Sequence, residues 1–169
     1  MSTNKKPRKR YKPKPVYTNA FERAIEAATP IGQAHASYYN DILLKNHSAM
    51  HALTHGQATK GDMDLLIAMA NIMEAFRLLE ICTPLSDEIA AGRRALIDIS
   101  VRAAKVHRIV PTGPEILALN VLMELHDELM PHITGAQLDR GIALAKRVIR
   151  RGEATLLPGS QQMIEAAAA

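Results

Sequence analysis

The sequence predicts an all-α fold, a bundle of about six helices preceded by an extended, disordered basic arm. Three observations carry this expectation. Apolar residues recur with a period near 3.6 through most of residues 18–152. Cap and proline signals open the periodic stretches. Only "EATLL" (153–157) has strand character, and one strand has no partner. With 169 residues, 47% of them apolar and 22% charged, the chain suits one globular domain and is not wholly disordered. The predicted organisation is an arm over residues 1–17, a helical domain over 18–152 and a C-terminal tail over 153–169.

Asn19 is placed to cap a first short helix ending near Ala28. Thr29-Pro30 then has the cap-plus-proline form that opens a second helix, running to about Thr54 with Gly56 as its C-cap. Its inward stripe is Tyr39, Ile42 or Leu43, Asn46, Met50 and Leu53. Thr59 with Asp62 resembles a capping box and opens a third helix, to about Ile81. Residues 65–79 are apolar nearly all round, which fits either the centre of a monomeric bundle or a homodimer contact.

Thr83-Pro84 opens a fourth helix that ends near His107, with Leu85, Ile89, Gly92, Leu96, Ile99 and Ala103 on one stripe. Gly92 costs helix propensity, about 1 kcal/mol against alanine, and close helix–helix approach is its expected return. Thr112 and Glu115 form a second capping box, opening a fifth helix that Pro131 stops. Thr134 and Gln137 open the sixth, with Leu138, Ile142, Ala145 and Ile149 inward and Gly152 at its end. The tail, "GSQQMIEAAAA", has few core-forming residues and either frays or forms a short helix. The eight methionines are read mainly as core filling.

Charge is unevenly distributed. Lys5, Lys6, Arg8, Lys9, Arg10, Lys12 and Lys14 give the first 14 residues seven positive charges and no acid. Since the whole chain is +4, the remainder carries −3. Pro7, Pro13 and Pro15 favour extended backbone there, and like charges keep it open. Tyr11 and Tyr17 lie among these cations, where rings could stack on bases while the cations hold phosphates. In the sixth helix Arg140, Arg147 and Arg151 share one side, beside Lys146 and Arg150. Stabilisation of a helix C-terminus accounts for Arg150 and Arg151, less well for Arg140.

Other chemistries find less support. There is no run of 18 apolar residues, no apolar segment after the basic start, no nucleotide-binding glycine loop and a single cysteine, Cys82. A reducing cytoplasm is expected. His47, His51 and His55 share a helical face, but no carboxylate lies between them and HExxH is absent. Adjacent His126 and Asp127 point about 100° apart on a helix and are not expected to form a dyad. Glu124 and Glu128 are expected to face water, and no serine has a GxSxG context. Asn46, Asn71 and Asn120 interrupt apolar surroundings, where buried amides would fix helix register. No catalytic residue, metal site or cofactor is expected.

The segments "RKRYKPKPV" (8–16), "KNHSAMHALTHGQAT" (45–59), "DMDLLIAMANIMEA" (62–75) and "GPEILALNVLMELHDELM" (113–130) resemble a group of small uncharacterised proteins encoded by tailed bacteriophages and prophages of proteobacteria. Asn46, His47, Ala49, Met50, Ala52, Leu53 and Gly56 fit that group's pattern, whereas His51 and His55 do not stand at its histidine positions. The resemblance implies a protein made in the host bacterial cytoplasm and brings no enzymatic activity with it.

The resulting expectation is a non-enzymatic phage accessory or regulatory protein acting by binding. Its arm, with the Arg140–Arg151 face, would contact nucleic acid or a nucleoprotein complex. One alternative is an inhibitor or adaptor whose acidic helical body docks a host protein. Another is a metal-dependent hydrolase using the histidine face.

Overall fold

The computed structural model describes residues 20–82 and 85–150. The arm cations, Tyr11, Asn19, Thr83-Pro84, Arg151, Gly152 and the tail lie outside those residues. Seven α-helices and one 3₁₀ turn are described: α1 (Ala20–Ala28), α2 (Ile31–Ala34), α3 (Ala36–Thr54), α4 (Lys60–Leu78), α5 (Ser86–Val106), α6 (Gly113–Leu129), the turn Met130–His132 and α7 (Gly135–Arg150). The described residues contain no strand, only an isolated bridge between Pro30 and Thr134. The all-α expectation holds.

Three of the expected caps form, at Thr59, Thr112 and Thr134; Thr29 does not cap, because α2 starts at Ile31 with Pro30 as its N-cap and Thr29 Oγ1 donates instead to the Ile25 carbonyl at 2.7 Å. Thr59 Oγ1 accepts from the Asp62 backbone N–H at 3.3 Å, and the Asp62 carboxylate accepts from the Thr59 N–H at 2.7 Å. Thr112 and Glu115 make the same reciprocal pair at the head of α6. Gly56, with φ +68°, closes α3: Gln57 N–H reaches back to the Ala52 carbonyl and Gly56 N–H to that of Leu53.

α4 is the axis of the bundle. It packs against α3, α5, α6 and α7, and it buries Leu66, Met69, Ala70, Met73, Ala75 and Phe76. Leu65 and Leu78 nevertheless face solvent, so the helix keeps a narrow wet edge. α5 and α6 pack closely because Gly92 has no side chain; a Cβ there would lie 2.7 Å from Leu122 Cδ2.

Three expectations need correction. The second helix is two, broken at His35 (φ −138°, ψ 46°). The break lets α2 dock on the 3₁₀ turn: Ile31 N–H donates to the Ile133 carbonyl at 2.8 Å, and Gly32 lies close against Pro131. The third helix ends at Leu78 rather than Ile81, because Glu80 adopts φ +59° and Ile81 N–H returns to the Phe76 carbonyl. Finally, α7 buries Gly141, Ala145 and Val148, leaving Ile149 62% exposed. Gly141 sets that rotation by admitting the Phe76 ring, which a Cβ would meet at 2.7 Å.

Candidate nucleic-acid interface

The rotation of α7 determines which cations reach solvent together. Thr134 N–H donates to Gln137 Oε1 at 2.9 Å, and Gln137 N–H donates to Thr134 Oγ1 at 3.2 Å, starting the helix. Ala145 and Val148 then pack with Ala75 of α4, flanked by Ile72 and Leu144. With that face inward, Arg140, Lys146, Arg147 and Arg150 are all exposed. Seven residues bring Arg147 nearly above Arg140, and Arg150 follows one turn on.

Arg140, Arg147 and Arg150 line one open groove of about 590 Å³, whose apolar lining is Leu79, Ala143 and Leu144. Among the described residues, no carboxylate lines it. Arg150 Nε donates to the Lys146 carbonyl at 3.2 Å, as a cation at a helix C-terminus should. Among the described residues, Arg140 and Arg147 have no ion pair or side-chain hydrogen bond.

Arginines elsewhere are engaged differently. Arg77 donates to Glu74 at 2.8 and 2.9 Å, and Arg93 lies 3.1 Å from the same carboxylate. Burial pushes the Arg93 guanidinium below its ordinary pKa, against the opposing effect of Glu74. Arg102 grips both oxygens of Glu115 and donates to the Val110 carbonyl at 2.7 Å. That hydrogen bonding holds the Glu115 carboxyl below the usual range. Arg93 and Arg102 tie helices together through these pairs, whereas Arg140 and Arg147 make no ion pair among the described residues and leave their charge to solvent.

The structure brings Arg140 and Arg147 together as the sequence suggests. It adds Arg150, which the helix-dipole reading had set aside. The groove lining could not be read from the chain, because Leu79 comes from beyond the end of α4, sixty-one positions before Arg140. The packing of Phe76 on Gly141 and of Ala75 on Ala145 and Val148 puts Leu79 beside α7. The arm cations and Arg151 lie outside the described residues.

The histidines form a different arrangement from a metal face. His47, His51 and His55 are all exposed. His51 and His55 rings stack with centroids 4.0 Å apart, and His55 Nδ1 lies 2.8 Å from the His51 carbonyl oxygen. His47 instead reaches across to Asp127, with 2.7 Å between Nε2 and Oδ2. Among the described residues, no three His, Cys, Asp or Glu side chains are grouped to hold a metal ion.

Contrary to expectation, His126 and Asp127 do meet, with 3.0 Å between Nδ1 and Oδ1. The 100° separation governs the Cβ directions, but the short Asp127 side chain turns back alongside its own helix. Asp127 therefore bridges exposed His47 and buried His126, while Tyr39 Oη donates to its backbone carbonyl at 3.2 Å. Burial lowers the His126 pKa, opposed by the hydrogen bond to Asp127. Burial and the nearby Asp127 charge both raise that of Tyr39. The cluster fastens α3 to α6.

Of the three asparagines, Asn46 and Asn71 are buried, but Asn120 is exposed and is no internal register device. The α6 stripe turns it outward. Glu124 and Glu128 face solvent. Cys82 is buried beyond α4, with its Sγ 3.8 Å from the Met73 carbonyl oxygen, and burial raises its thiol pKa.

No family model, curated protein or solved structure matches the chain. No helix among the described residues is long and apolar enough to cross a membrane.

Proposed function

We propose that this protein acts by binding, as a phage accessory or regulatory protein in the host bacterial cytoplasm. The α7 arginine groove and the basic arm contact nucleic acid or a nucleoprotein complex. The observation supporting this reading is the groove itself: three arginines on one face, with no carboxylate among the described lining residues. Phosphates would neutralise that charge and release their counterions on binding.

Salt-dependent binding of the full chain to duplex DNA, followed by fluorescence anisotropy, tests the reading. If four to six arm cations meet phosphates, the arm alone contributes about −4 to −5 to the slope of log affinity against log salt, on top of the α7 share. Removing residues 1–14 flattens the slope to about −1 to −3, the share left to α7. Arg140→Ala/Arg147→Ala in the shortened chain removes most of the remainder. An unchanged slope after both changes would refute the assignment.

A second reading, an inhibitor or adaptor that docks a host protein, is favoured by a different surface. Phe21 is 72% exposed and Ile25 53%, one turn apart on α1. Large apolar groups exposed together suit a protein partner. Failure of the full chain to bind nucleic acid at low salt would favour this reading.

A further inference from the structure

We infer that the α7 groove receives an unpaired base, with its flanking phosphates on the arginines, so that single-stranded nucleic acid is its ligand. This rests on the nucleic-acid reading above and specifies the strand class. The groove divides sharply by polarity. Leu79, Ala143 and Leu144 make an apolar floor, while Arg140, Arg147 and Arg150 supply the cations. An unpaired nucleotide has the same division, with an apolar ring face between charged phosphates. A duplex hides its base faces in the stack and presents phosphates outside, leaving such a floor unfilled.

Shape points the same way. A protein reads the duplex major groove with a protruding helix or ribbon, because that groove is itself a recess of about 12 Å width. The α7 site is instead an open groove of about 590 Å³, on whose apolar floor a single base can lie with its phosphates toward the arginines. The choice of cation also fits. All three lining cations are arginine, whose flat guanidinium pairs with phosphate and stacks on a base, whereas Lys146 does not line the groove. From Arg140 to Arg150 the helix rises about 15 Å, a span of roughly four stacked nucleotides. With an aliphatic floor and no amide or carboxylate among the described lining residues to read base edges, recognition should be sequence-tolerant.

The test uses the full-length protein and three labelled probes with equal numbers of phosphates: oligo-dT, oligo-U and a blunt DNA duplex. Ala143 is exposed, and glutamine is a good helix former, so Ala143→Gln partly fills the floor without changing charge or helicity. This variant should weaken single-strand binding about tenfold while duplex binding stays within about twofold. Arg147→Ala should weaken both and reduce the salt slope by about 0.7 on single strands and about 0.9 on duplex. A preference between oligo-dT and oligo-U names the source of the strand, and either sits with the proposal. If Ala143→Gln weakens strands and duplex alike, or affects neither, the unpaired-base assignment falls while nucleic-acid binding stands. If the wild-type chain binds none of the probes at low salt, both fall.

Discussion

Replacing Gly92 with alanine sets two opposing effects against each other, and the α5–α6 contact determines the sign. On an exposed helix surface the change would stabilise by about 1 kcal/mol, because alanine loses less backbone entropy on folding. At Gly92 the new methyl would lie 2.7 Å from Leu122 Cδ2 and 2.8 Å from Leu122 Cβ. Carbon atoms prefer about 3.5–4.0 Å, so one helix must move by roughly 1 Å or Leu122 must leave its rotamer. A rotamer change would not relieve the Cβ contact, and Leu122 is fully buried. Overpacking of this kind costs about 1–3 kcal/mol.

With the upper part of that range opposed by the helix gain, the net loss is about 1–2 kcal/mol. In a chain of this size that lowers the melting temperature by roughly 2–8 °C. Urea and thermal unfolding followed by far-ultraviolet circular dichroism provide the measurement. Gly61→Ala is the control: the group its Cβ would meet is Thr59 Oγ1 at an ordinary 3.6 Å, so stability should hold or rise. Leu122→Ala removes Cγ and Cδ2 but keeps the Cβ that would lie 2.8 Å from the methyl, so it relieves only part of the clash. Gly92→Ala is therefore expected to cost less in the Leu122→Ala background than in wild type. A Gly92→Ala protein as stable as wild type would refute the close-packing account of this glycine.

Two further outcomes concern buried polar groups. Glu74→Ala takes a carboxylate from Arg93, whose side chain is 10% exposed, and should cost about 3–5 kcal/mol in urea unfolding. Glu74→Ala/Arg93→Met should recover part of that loss, and an unaltered midpoint in Glu74→Ala would refute the role assigned to this pair. His126 has a folded-state pKa below its unfolded value, so its contribution is present above about pH 6.5 and is lost as pH falls toward the lowered value. Stability measured from pH 7.5 to 5 should therefore decline in wild type and decline less in His126→Gln. Equal declines would show that other groups carry the pH dependence.

Fold class and three of the helix starts were legible in the chain because caps are local chemistry. Thr59 with Asp62, Thr112 with Glu115 and Thr134 with Gln137 each satisfy backbone groups within one turn, so their spacing alone marks where a helix opens. Gly56 was equally readable, since its positive φ closes a helix through bonds only a few residues long. Glu80 was not: it takes the same left-handed conformation without being glycine, under contacts made by the end of α4. The His126–Asp127 contact escaped because ideal helical directions describe Cβ vectors and leave the final rotation of a short side chain open.

By itself, the sequence determined the all-α class, the capped helix starts, the apolar character of the central helix and the presence of Arg140 and Arg147 on one side of the last. Tertiary structure decided the break at His35, which serves docking of α2 on the Met130–His132 turn, and the rotation of α7, which Phe76 imposes through Gly141. That rotation buried Val148 in place of Ile149 and set Arg150 with Arg140 and Arg147 around Leu79. The physical reason is range. Caps and periodicity act over three to eight residues, whereas the phase of a helix is settled by whichever distant surface fits its smallest residues.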